Sequence, residues 1–414
     1  MRLCFGTIIV ALSLNSAQCA PAQRLKDHSI NTTDLKAGYE HVAARYASWA
    51  ERKKKQHKSY LTYGGLGKLM ESTRLATPAP IRKRGTVLPL YAVGGYPKML
   101  GQTFNVEVGM GTPAQLFNLT ADTGSTLTWA VQASCKETDC PGVAKKRTYD
   151  PSKSRTSKKL GSDHEAYGDG EMDLTLYNDT VHLGKISVNA ATIGGADKTF
   201  EKDGELEHDG LFGLGKRLDV DTRAVLSALS KQDKRFSQTI ALDLGANASL
   251  EIGGYDFRKY RKLVQIRVDD VFGWLLPRSI VTAQGAAQVD PVDLLVDSGS
   301  SVSMLPASRM DAIMDRPGLK VQKSTSEPIT YAMPCDTKLN VHISLPDGTQ
   351  IPVKDADILM QSNDANMPGC LSLLVGTTNP FLPAVLGTPM LKSIYTVLSR
   401  SATGDWIGLA PLAA

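Results

Sequence analysis

The chain has 414 residues, which is too many for one ordinary domain and enough to fill two hydrophobic cores. Its content of 42% apolar and 21% charged residues is that of a folded globular protein, which excludes a disordered chain or a membrane protein. The net charge of +5 is distributed unevenly along the chain. Residues 21–84 are basic, with 14 Lys or Arg and 5 Asp or Glu, whereas the chain after residue 84 is acidic.

The first segment has the form of a secretory signal peptide. Arg2 precedes an apolar run over residues 3–14, and small residues follow at 17–20, so we assign residues 1–19 to the signal. No later segment reaches the roughly 18 apolar residues of a membrane span, and the C-terminus lacks the apolar tail of a lipid anchor. We therefore expect a protein without a membrane anchor, outside the cell or in a vacuolar lumen.

Residues 20–84 form a basic prosegment in this interpretation. Residues 36–58 are rich in Ala, Lys, Arg and Glu and predict a helix. Thr-Pro-Ala-Pro at residues 77–80 predicts an extended segment, which leads to a cleavage site after Arg-Lys-Arg, between Arg84 and Gly85. A basic tail on an acidic body also suits nucleic acid or a membrane surface. The dibasic processing site instead favours a removable segment on an acidic cleft, and we expect no nucleic-acid partner.

Two lysines of this prosegment are candidates to reach acidic groups in the cleft, namely Lys58 and Lys68. The alternative is that both are ordinary solvated lysines.

From Gly85 onward, short β-type runs are separated by Gly, Pro, Asn and Asp. The clearest runs are residues 104–108, 115–119, 180–183, 239–244, 249–252 and 395–398. Convincing helical patterns occur only at residues 222–232 and 308–314. We therefore expect a mostly β architecture.

Two of the apolar runs end in the same turn. Leu-Thr-Ala-Asp-Thr-Gly-Ser places Asp122 at the end of the first, and Leu-Leu-Val-Asp-Ser-Gly-Ser places Asp297 at the end of the second, 175 residues later. Apolar-apolar-Gly elements ending at Gly213 and Gly387 follow at nearly equal distances, which indicates an internal repeat. A pair of aspartates suits acid–base chemistry, because an ionised one takes a proton from water while a protonated one polarises a carbonyl. The first prediction is an aspartic endopeptidase.

These residues resemble the pepsin-like aspartic proteases over nearly all of residues 85–414. Trp129 stands where that family has a tryptophan that contacts the flap, and Ala-Tyr-Gly-Asp-Gly at residues 166–170 is similar to the flap tip. Residues 109–115 and 407–411 are similar to the strands before the first turn and at the C-terminus. Asp169 and the dibasic site resemble the secreted fungal branch.

The resemblance implies a mostly β, bilobal fold with an active-site cleft between two β lobes, residues 85–260 and 261–414. It implies Asp122 and Asp297 as the catalytic pair, with no metal or other cofactor. Phe272 and Trp274 are additional pocket candidates. The other implied roles are support of the catalytic loops by Thr123, Ser125, Ser298, Ser300 and Trp129, and substrate contact by Gly124, Gly299, Tyr167, Asp169, Leu211 and Leu295.

The function implied is that of a secreted zymogen, a monomer that cleaves polypeptides between bulky apolar residues at acid pH. Its prosegment would act as an intramolecular inhibitor. The alternative is a catalytically inactive pepsin-like protein that binds or inhibits a partner, and a two-carboxylate glycosidase, whose carboxyls lie about 5–9 Å apart, is a more remote one. The intact aspartates, glycines and flap tyrosine favour the enzyme, because a binding module needs none of them.

Four cysteines remain beyond the signal region: Cys135, Cys140, Cys335 and Cys370. They allow three pairings, of which sequence neighbours give 135–140 and 335–370, and these two bridges also fit the family. Zinc binding is the competing hypothesis, but the Cys-x4-Cys pair has no second pair or histidine at ligand spacing.

Asn-x-Ser/Thr sequons occur at Asn31, Asn118, Asn178 and Asn247. Asn31 would leave with the prosegment, and Asn118 lies on the run that leads to Asp122. Asn247, in a Gly-Ala-Asn-Ala-Ser turn, and Asn178 are therefore the candidate glycosylation sites.

Overall fold

The computed structural model of the chain describes residues 29–46, 85–95, 99–167, 170–199, 208–216, 224–256, 263–268, 273–400 and 404–412. The predicted signal peptide, Arg84 of the predicted cleavage site, and the prosegment lysines Lys58 and Lys68 lie outside these residues. Within the described residues, no helix has both the length and the apolar character needed to cross a membrane.

Strands dominate the described chain, which confirms the mostly β prediction. In chain order the strands are β1 Ser29–Ile30, β2 Thr86–Pro89, β3 Tyr91–Gly95, β4 Met99–Met110, β5 Gln115–Asp122, β6 Thr128–Val131, β7 Lys158–Tyr167, β8 Gly170–Leu183, β9 Ile186–Lys198, β10 Gly210–Gly213, β11 Gln238–Asp243, β12 Ser249–Ile252, β13 Val264–Val268, β14 Leu275–Ala283, β15 Val292–Asp297, β16 Ser303–Pro306, β17 Gln322–Lys323, β18 Tyr331–Met333, β19 Val341–Ser344, β20 Gln350–Pro352, β21 Leu359–Ser362, β22 Cys370–Ser372, β23 Leu374–Thr377, β24 Ala384–Gly387, β25 Ile394–Arg400 and β26 Asp405–Pro411.

The α-helices of the described residues are few and short. They are α1 Thr32–Arg45, α2 Val225–Gln232, α3 Ala307–Met314, α4 Asp355–Ile358 and α5 Thr388–Leu391. The two helices predicted after residue 85 correspond to α2 and α3. The helix predicted in the prosegment begins four residues earlier than expected, because Asn31 and Asp34 exchange side-chain to backbone hydrogen bonds of 2.9 Å and so cap its first turn.

The first large sheet has eight strands in the order β3-β4-β5-β10-β6-β9-β8-β7 and contains Asp122 at the end of β5. Strand β10 runs parallel to β5 and antiparallel to β6. Strands β7 and β8 form a long hairpin whose last register pair is Tyr167 with Gly170. This hairpin is the element that the sequence predicted as the flap.

The second large sheet repeats this local topology around Asp297. Its seven strands lie in the order β20-β19-β14-β15-β24-β16-β23, with β24 parallel to β15 and antiparallel to β16. Each aspartate therefore ends a strand that is flanked by a parallel strand from its own half. The two sheets are the bilobal arrangement that the sequence predicted, and they present their paired loops to each other.

A six-stranded sheet connects the two halves, in the order β13-β26-β25-β11-β12-β2. Strand β2 pairs with β12, so the chain directly after the predicted cleavage site is part of this sheet. A β-carbon on Gly85 would lie 2.6 Å from the carbonyl oxygen of Ile252, which shows how closely this segment is packed. A smaller sheet, β1-β21-β22-β18-β17, joins prosegment strand β1 to the second half.

Both predicted disulfides are present, with S–S distances of 2.05 Å for Cys135–Cys140 and 2.06 Å for Cys335–Cys370. All four sulfurs are thereby engaged with one another, which rules out the zinc hypothesis for these cysteines. The longer bridge ties the segment after β18 to the start of β22 in the five-stranded sheet.

A buried ion pair joins the first half to the connecting sheet. Lys216, just beyond β10, places its Nζ 2.7 Å from Oδ2 of Asp405, the first residue of β26, and the two side chains are only 2% and 15% exposed. The Lys216 Nζ also lies 5.7 Å from the ring centroid of Trp274. Because a buried charge without its partner is costly, this pair holds the two elements in one arrangement.

We expect Asp405→Asn to lower the free energy of unfolding by about 3–5 kcal/mol, because it leaves the buried Lys216 ammonium without its carboxylate. Denaturant unfolding at neutral pH measures the loss. The matched control is Lys153→Ala, which breaks a pair with Asp150 in which the lysine side chain is 71% exposed, and should cost less than about 1 kcal/mol. Equal losses in the two variants would contradict the assignment.

Candidate active site

The two aspartates occupy equivalent loops. Asp122 and Asp297 end β5 and β15, and both are fully buried. In each loop the glycine two residues later donates its N–H to the aspartate Oδ1, at 2.8 Å for Gly124 and 2.9 Å for Gly299. A short turn closed by its own carboxylate thus fixes the orientation of both side chains.

Two hydroxyl residues tie these loops together. Thr123 Oγ1 donates to the carbonyl oxygen of Val296 at 2.9 Å and accepts from the N–H of Ser298 at 2.9 Å. Ser298 Oγ donates to the carbonyl oxygen of Ala121 at 2.7 Å and accepts from the N–H of Thr123 at 3.1 Å. The four bonds are reciprocal and buried, so neither loop can move without leaving polar groups of the other unpaired.

The Asp297 carboxylate lies against the first aspartate loop. A β-carbon on Gly124, two residues after Asp122, would lie 2.6 Å from Oδ1 of Asp297. Only a glycine can therefore occupy this position of the first loop while the second carboxylate is in place. The structure thus brings together the two loops that carry the aspartates predicted from the sequence.

The apolar-Gly elements lie directly behind the two aspartate loops. In the strand registers, Gly213 faces Asp122 and Gly387 faces Asp297. A β-carbon on Gly213 would lie 2.5 Å from the carbonyl carbon of Thr126, and one on Gly387 would lie 2.0 Å from the carbonyl oxygen of Val302. Both glycines are needed because backbone passes backbone at these points.

Two supporting hydroxyls were missed in the sequence. Thr128 Oγ1 accepts from the N–H of Gly213, and Ser303 Oγ accepts from the N–H of Gly387, both at 3.1 Å. Each hydroxyl residue stands six positions after the aspartate of its half. That equal offset in the two repeats is the signal that could have identified them.

Asp297 also accepts a hydrogen bond that the sequence did not predict. Tyr46, directly after α1, donates its hydroxyl to Asp297 Oδ2 at 2.7 Å, and Ser300 Oγ donates to the same oxygen. The predicted prosegment contacts Asp297 through this tyrosine, whereas the sequence predicted Lys58 or Lys68, which lie outside the described residues. The buried residues Leu35, Tyr39, Val42 and Tyr46 share one helical face, and that spacing is a signal in the sequence.

The other predicted support residues are close to the loops. Ser125 and Trp129 are buried, and the Trp129 indole N–H has no hydrogen-bond partner among the described residues. Tyr167 ends β7, but its side chain is outside the described part, as is all of Asp169.

The predicted pocket residues fall in two apolar clusters. Leu295 is buried in the cluster that also contains the inward face of α1, and the half-buried Leu211 packs against the cluster around Trp129. Trp274 instead donates its indole N–H to the carbonyl oxygen of Leu214 at 3.1 Å and is buried in the main core. Phe272 lies outside the described residues.

The two predicted glycosylation sites differ in exposure. Asn247 is exposed in a turn between β11 and β12, whereas Asn178 is half-buried on β8. In the described residues no group of three or more His, Cys, Asp or Glu side chains is placed to hold a metal ion.

We expect Thr123→Val to lower the free energy of unfolding by about 2–5 kcal/mol, because it leaves the Ser298 N–H and the Val296 carbonyl buried without partners. Denaturant unfolding measures this, and Thr138→Val is the control because that hydroxyl is exposed and bonds only to the neighbouring Asp139. A loss in Thr123→Val no larger than in the control would show that the loops are not interlocked.

Comparison with known proteins gives a consistent result. The family model for eukaryotic aspartyl protease matches residues 103–412. Candidapepsin-2 of Candida parapsilosis is 26% identical over 328 residues, covering 73% of this chain and 76% of the relative. Rhizopuspepsin-3 of Rhizopus niveus is 27% identical over 319 residues, 74% and 78% of the two chains, and secreted aspartic protease 1 of Candida albicans is 26% identical over 314 residues, 71% and 78%. Since the family model spans both aspartate loops and most of the chain, this protein belongs to the eukaryotic aspartyl proteases, the pepsin-like family that its motifs resemble.

Proposed function

We propose that this protein is an aspartic endopeptidase whose catalytic pair is Asp122 and Asp297. The observation that carries the proposal is the pair of buried carboxylates, one from each repeat, held in loops that Thr123 and Ser298 lock together. Burying two carboxylates in interlocked loops is costly for the folded state. An enzyme that activates water between two carboxylates requires this costly arrangement.

The chemistry follows from sharing a single proton. In characterised aspartic proteases, two adjacent carboxylates hold one proton between them and titrate as a unit. The ionised carboxylate takes a proton from water, and the other donates its proton to the carbonyl oxygen of the peptide while the water oxygen bonds to the carbonyl carbon. Proton transfer to the nitrogen of this tetrahedral diol then breaks the C–N bond and releases an amine and a carboxylic acid. The reaction should be fastest in acid, because the shared proton is lost as the pH rises.

The surroundings supply orientation and substrate contact in this proposal. Ser300 orients the Asp297 carboxylate through its hydrogen bond. The indole N–H of Trp129 is buried beside the flap strands and has no partner among the described residues, so it suits the Tyr167 hydroxyl when the flap closes over substrate. Leu211 and Leu295 offer apolar surface near the pair, which suits peptide bonds between bulky apolar residues. This reaction uses no cofactor.

The structure with α1 in place corresponds, in our proposal, to an inactive precursor. The hydroxyl of Tyr46 lies on the Asp297 carboxylate, where the attacking water and the peptide need access. We propose that residues 1–19 direct secretion, that residues 20–84 inhibit the body until the chain is cut between Arg84 and Gly85, and that the product acts as a monomer outside the cell or in a vacuole. Asn247 is the favoured glycan site because it is exposed in a turn.

A catalytically inactive binding protein is the second candidate considered. It would not require two buried carboxylates, nor glycines at both aspartate loops. The structure preserves these features in both halves, so the enzyme is the better supported function.

We expect Asp122→Asn and Asp297→Asn each to reduce hydrolysis of a denatured protein at acid pH by about 10²–10⁴-fold, because each removes one partner of the proton exchange. The rate of peptide release from the cut enzyme measures this, and circular dichroism checks the fold. Asp347→Asn is the control, since that exposed carboxylate bonds only within its own turn. Full activity in either catalytic variant, or a neutral optimum for the parent, would refute the proposal.

We expect Tyr46→Phe to raise the acid activity of the uncut chain by about tenfold, because a hydrogen bond to a charged group is worth about 1.5–3 kcal/mol. Initial rates with a small peptide substrate measure this before any self-cleavage accumulates. Tyr91→Phe provides the comparison, since Tyr91 is exposed on β3. An unchanged rate in Tyr46→Phe would show that this tyrosine does not restrain the site.

A further inference from the structure

A strongly basic surface lies on the first half of the body, whose overall charge is negative. Residues 145–159 hold seven Lys or Arg and one Asp, a net charge of +6, although the whole chain carries only +5. Six of the seven cations are exposed and the other is half-buried. We call this set the basic surface, and its members are Lys145, Lys146, Arg147, Lys153, Arg155, Lys158 and Lys159. Such a concentration of one sign of charge attracts partners of the opposite sign.

Buried residues between the cations fix this segment on the sheet. Tyr149 is fully buried and donates its hydroxyl to Asp179 Oδ2 at 2.7 Å. Ser154 and Thr156 donate their hydroxyls to Oδ1 of the same carboxylate, at 3.0 Å and 2.6 Å. Asp179 lies in β8 and is itself 1% exposed. The cations between these residues are therefore carried on a fixed backbone, so a partner does not have to order the segment when it binds.

The segment also contacts the turn between β4 and β5. Arg147 Nη1 donates to the carbonyl oxygen of Leu116 at 3.3 Å. The N–H of Arg155 donates to the carbonyl oxygen of Thr112 at 2.9 Å. At its other end the segment continues into β7, which begins at Lys158. The basic surface therefore extends from the start of β5 to the start of β7.

Two exposed leucines border the basic surface. Leu116, which accepts from Arg147, is 49% exposed, and Leu160, which follows Lys159, is 55% exposed. The register of β7 and β8 shifts between Lys159 and Gly161, so Leu160 is an additional residue at a β-bulge. A bulge redirects a side chain, and this one leaves a large apolar side chain in water beside a lysine. Exposed cations together with exposed apolar groups are typical of proteins that lie on a bilayer surface.

Most of this positive charge is not neutralised within the described part of the protein. Arg147 pairs with Asp209 at 3.4 Å, but the arginine side chain stays 47% exposed. Lys153 pairs with Asp150 at 3.2 Å and stays 71% exposed. Four further cations form no ion pair with any described residue, namely Lys145, Arg155, Lys158 and Lys159. Like charges held this close repel one another, so an external anion relieves a repulsion that the fold itself leaves in place.

The proposed acid activity selects the kind of anion. Lys and Arg keep their charge in acid, but the carboxylates of an acidic protein have ordinary pKa values near about 4 and lose theirs. A phosphate ester keeps at least one negative charge there, because only its second proton dissociates near about pH 6. The partner therefore carries phosphate rather than carboxylate groups, and this step rests on the proposed function.

The two leucines distinguish a phospholipid surface from a soluble phosphate polymer. A polymer would pair with the cations and leave Leu116 and Leu160 in water. A phospholipid surface offers phosphate groups to the cations and, directly beneath them, hydrocarbon that removes the leucine side chains from water. Only the lipid surface satisfies both features.

We propose that the basic surface, with Leu116 and Leu160, binds the body reversibly to an anionic phospholipid surface. The binding is peripheral and needs no membrane-spanning helix. Each Lys or Arg at such a surface strengthens the binding by about fivefold. Added salt weakens it, because the cations are exposed. Attachment would keep the proposed protease beside substrates at that surface, but the binding itself does not require catalysis.

The test uses the full chain carrying Asp122→Asn, so that acid does not start proteolysis. Because residues 21–84 are also basic, the chain is first cut after Arg84 by a dibasic-specific endoprotease, and only body that sediments without the N-terminal fragment is counted. The vesicles are phosphatidylcholine with about 30% phosphatidylglycerol, whose phosphate diester stays charged in acid.

We expect the body to sediment with these vesicles at acid pH and low salt. It should remain in solution with vesicles of phosphatidylcholine alone, and with the anionic vesicles in about 1 M salt. A body that stays in solution with the anionic vesicles at low salt would overturn the proposal.

Variants of the two features test the surface itself. Lys158→Glu combined with Lys159→Glu should weaken vesicle binding by at least about a hundredfold, because it changes four units of charge. Leu160→Ser should weaken the binding by about tenfold, because less apolar surface leaves water. Sedimentation over a range of lipid concentrations gives the dissociation constants.

The matched controls change the same quantities on other elements. Lys320→Glu with Lys338→Glu makes the same change of net charge on exposed residues of the second half, and Val87→Ser removes an apolar side chain that is 51% exposed on β2. We expect both controls to bind like the parent, and circular dichroism checks that every variant folds. Equal losses in the Lys158 and Lys159 variant and in its charge control would show that net charge alone drives binding, which overturns the assignment.

Two further outcomes separate the partner and the activity. If Leu160→Ser binds vesicles like the parent while immobilised heparin retains the protein through Lys158 and Lys159, the partner is a soluble polyanion and the lipid proposal is overturned. Hydrolysis of a denatured protein is measured separately with the wild-type chain. An active wild-type protein without vesicle binding refutes the lipid surface alone, whereas vesicle binding by a protein without activity supports it and refutes only the proposed function.

Discussion

The reciprocal hydrogen bonds between Thr123 and Ser298 are the constraint on which the site depends. Two buried carboxylates repel each other when both are charged, and the loops that carry them would separate if nothing held them. Each hydroxyl spans the contact by donating to a carbonyl of the other loop and accepting one of its N–H groups. The stability of the contact therefore does not rely on the carboxylates, which leaves their protonation free to change during a reaction.

The two aspartate loops have the same supporting contacts, but the segment that contains Tyr46 is bound on the Asp297 side. Both aspartates receive a glycine N–H at Oδ1, and a glycine of the parallel strand lies behind each. On the Asp297 side, however, the predicted prosegment adds the Tyr46 hydroxyl and fills the adjacent apolar groove. The same groove contains Leu295, predicted from the sequence to contact substrate. Inhibitor and substrate thus draw on the same apolar surface in the proposed function.

Much of the fold and of the pair could be predicted from the sequence, because the determining signals are local and occur twice. The Asp-Thr/Ser-Gly turns and the apolar-Gly elements each mark a strand end, and their equal spacing predicted the repeat that the parallel strand pairs show. The disulfides followed from the sequence neighbours. Helix ends were predicted less well, since α1 begins where Asn31 and Asp34 form a cap rather than where the charged residues begin.

The contacts of the prosegment could not be predicted in the same way. Tyr46 meets an aspartate 251 residues away, and Thr32 meets one 332 residues away, so no local pattern records either partner. The basic composition of the segment directed attention to lysines, whereas the described contacts use tyrosine and threonine hydroxyls. The segment contains many charged residues. The buried face of an amphipathic helix, however, is formed by its fewer apolar and aromatic residues.

The connecting sheet also constrains how the protein can be made. Strand β26 lies between β13 and β25, so among the described strands β13 has no neighbour in its sheet until β26 has been synthesised. Each large sheet can form from its own continuous stretch as the chain emerges, but the connecting sheet is complete only once β25 and β26, which follow both large sheets in the chain, have been made. A nascent chain that stops short of β26 would expose open strand edges on β13 and β25, which are sites where chains can aggregate.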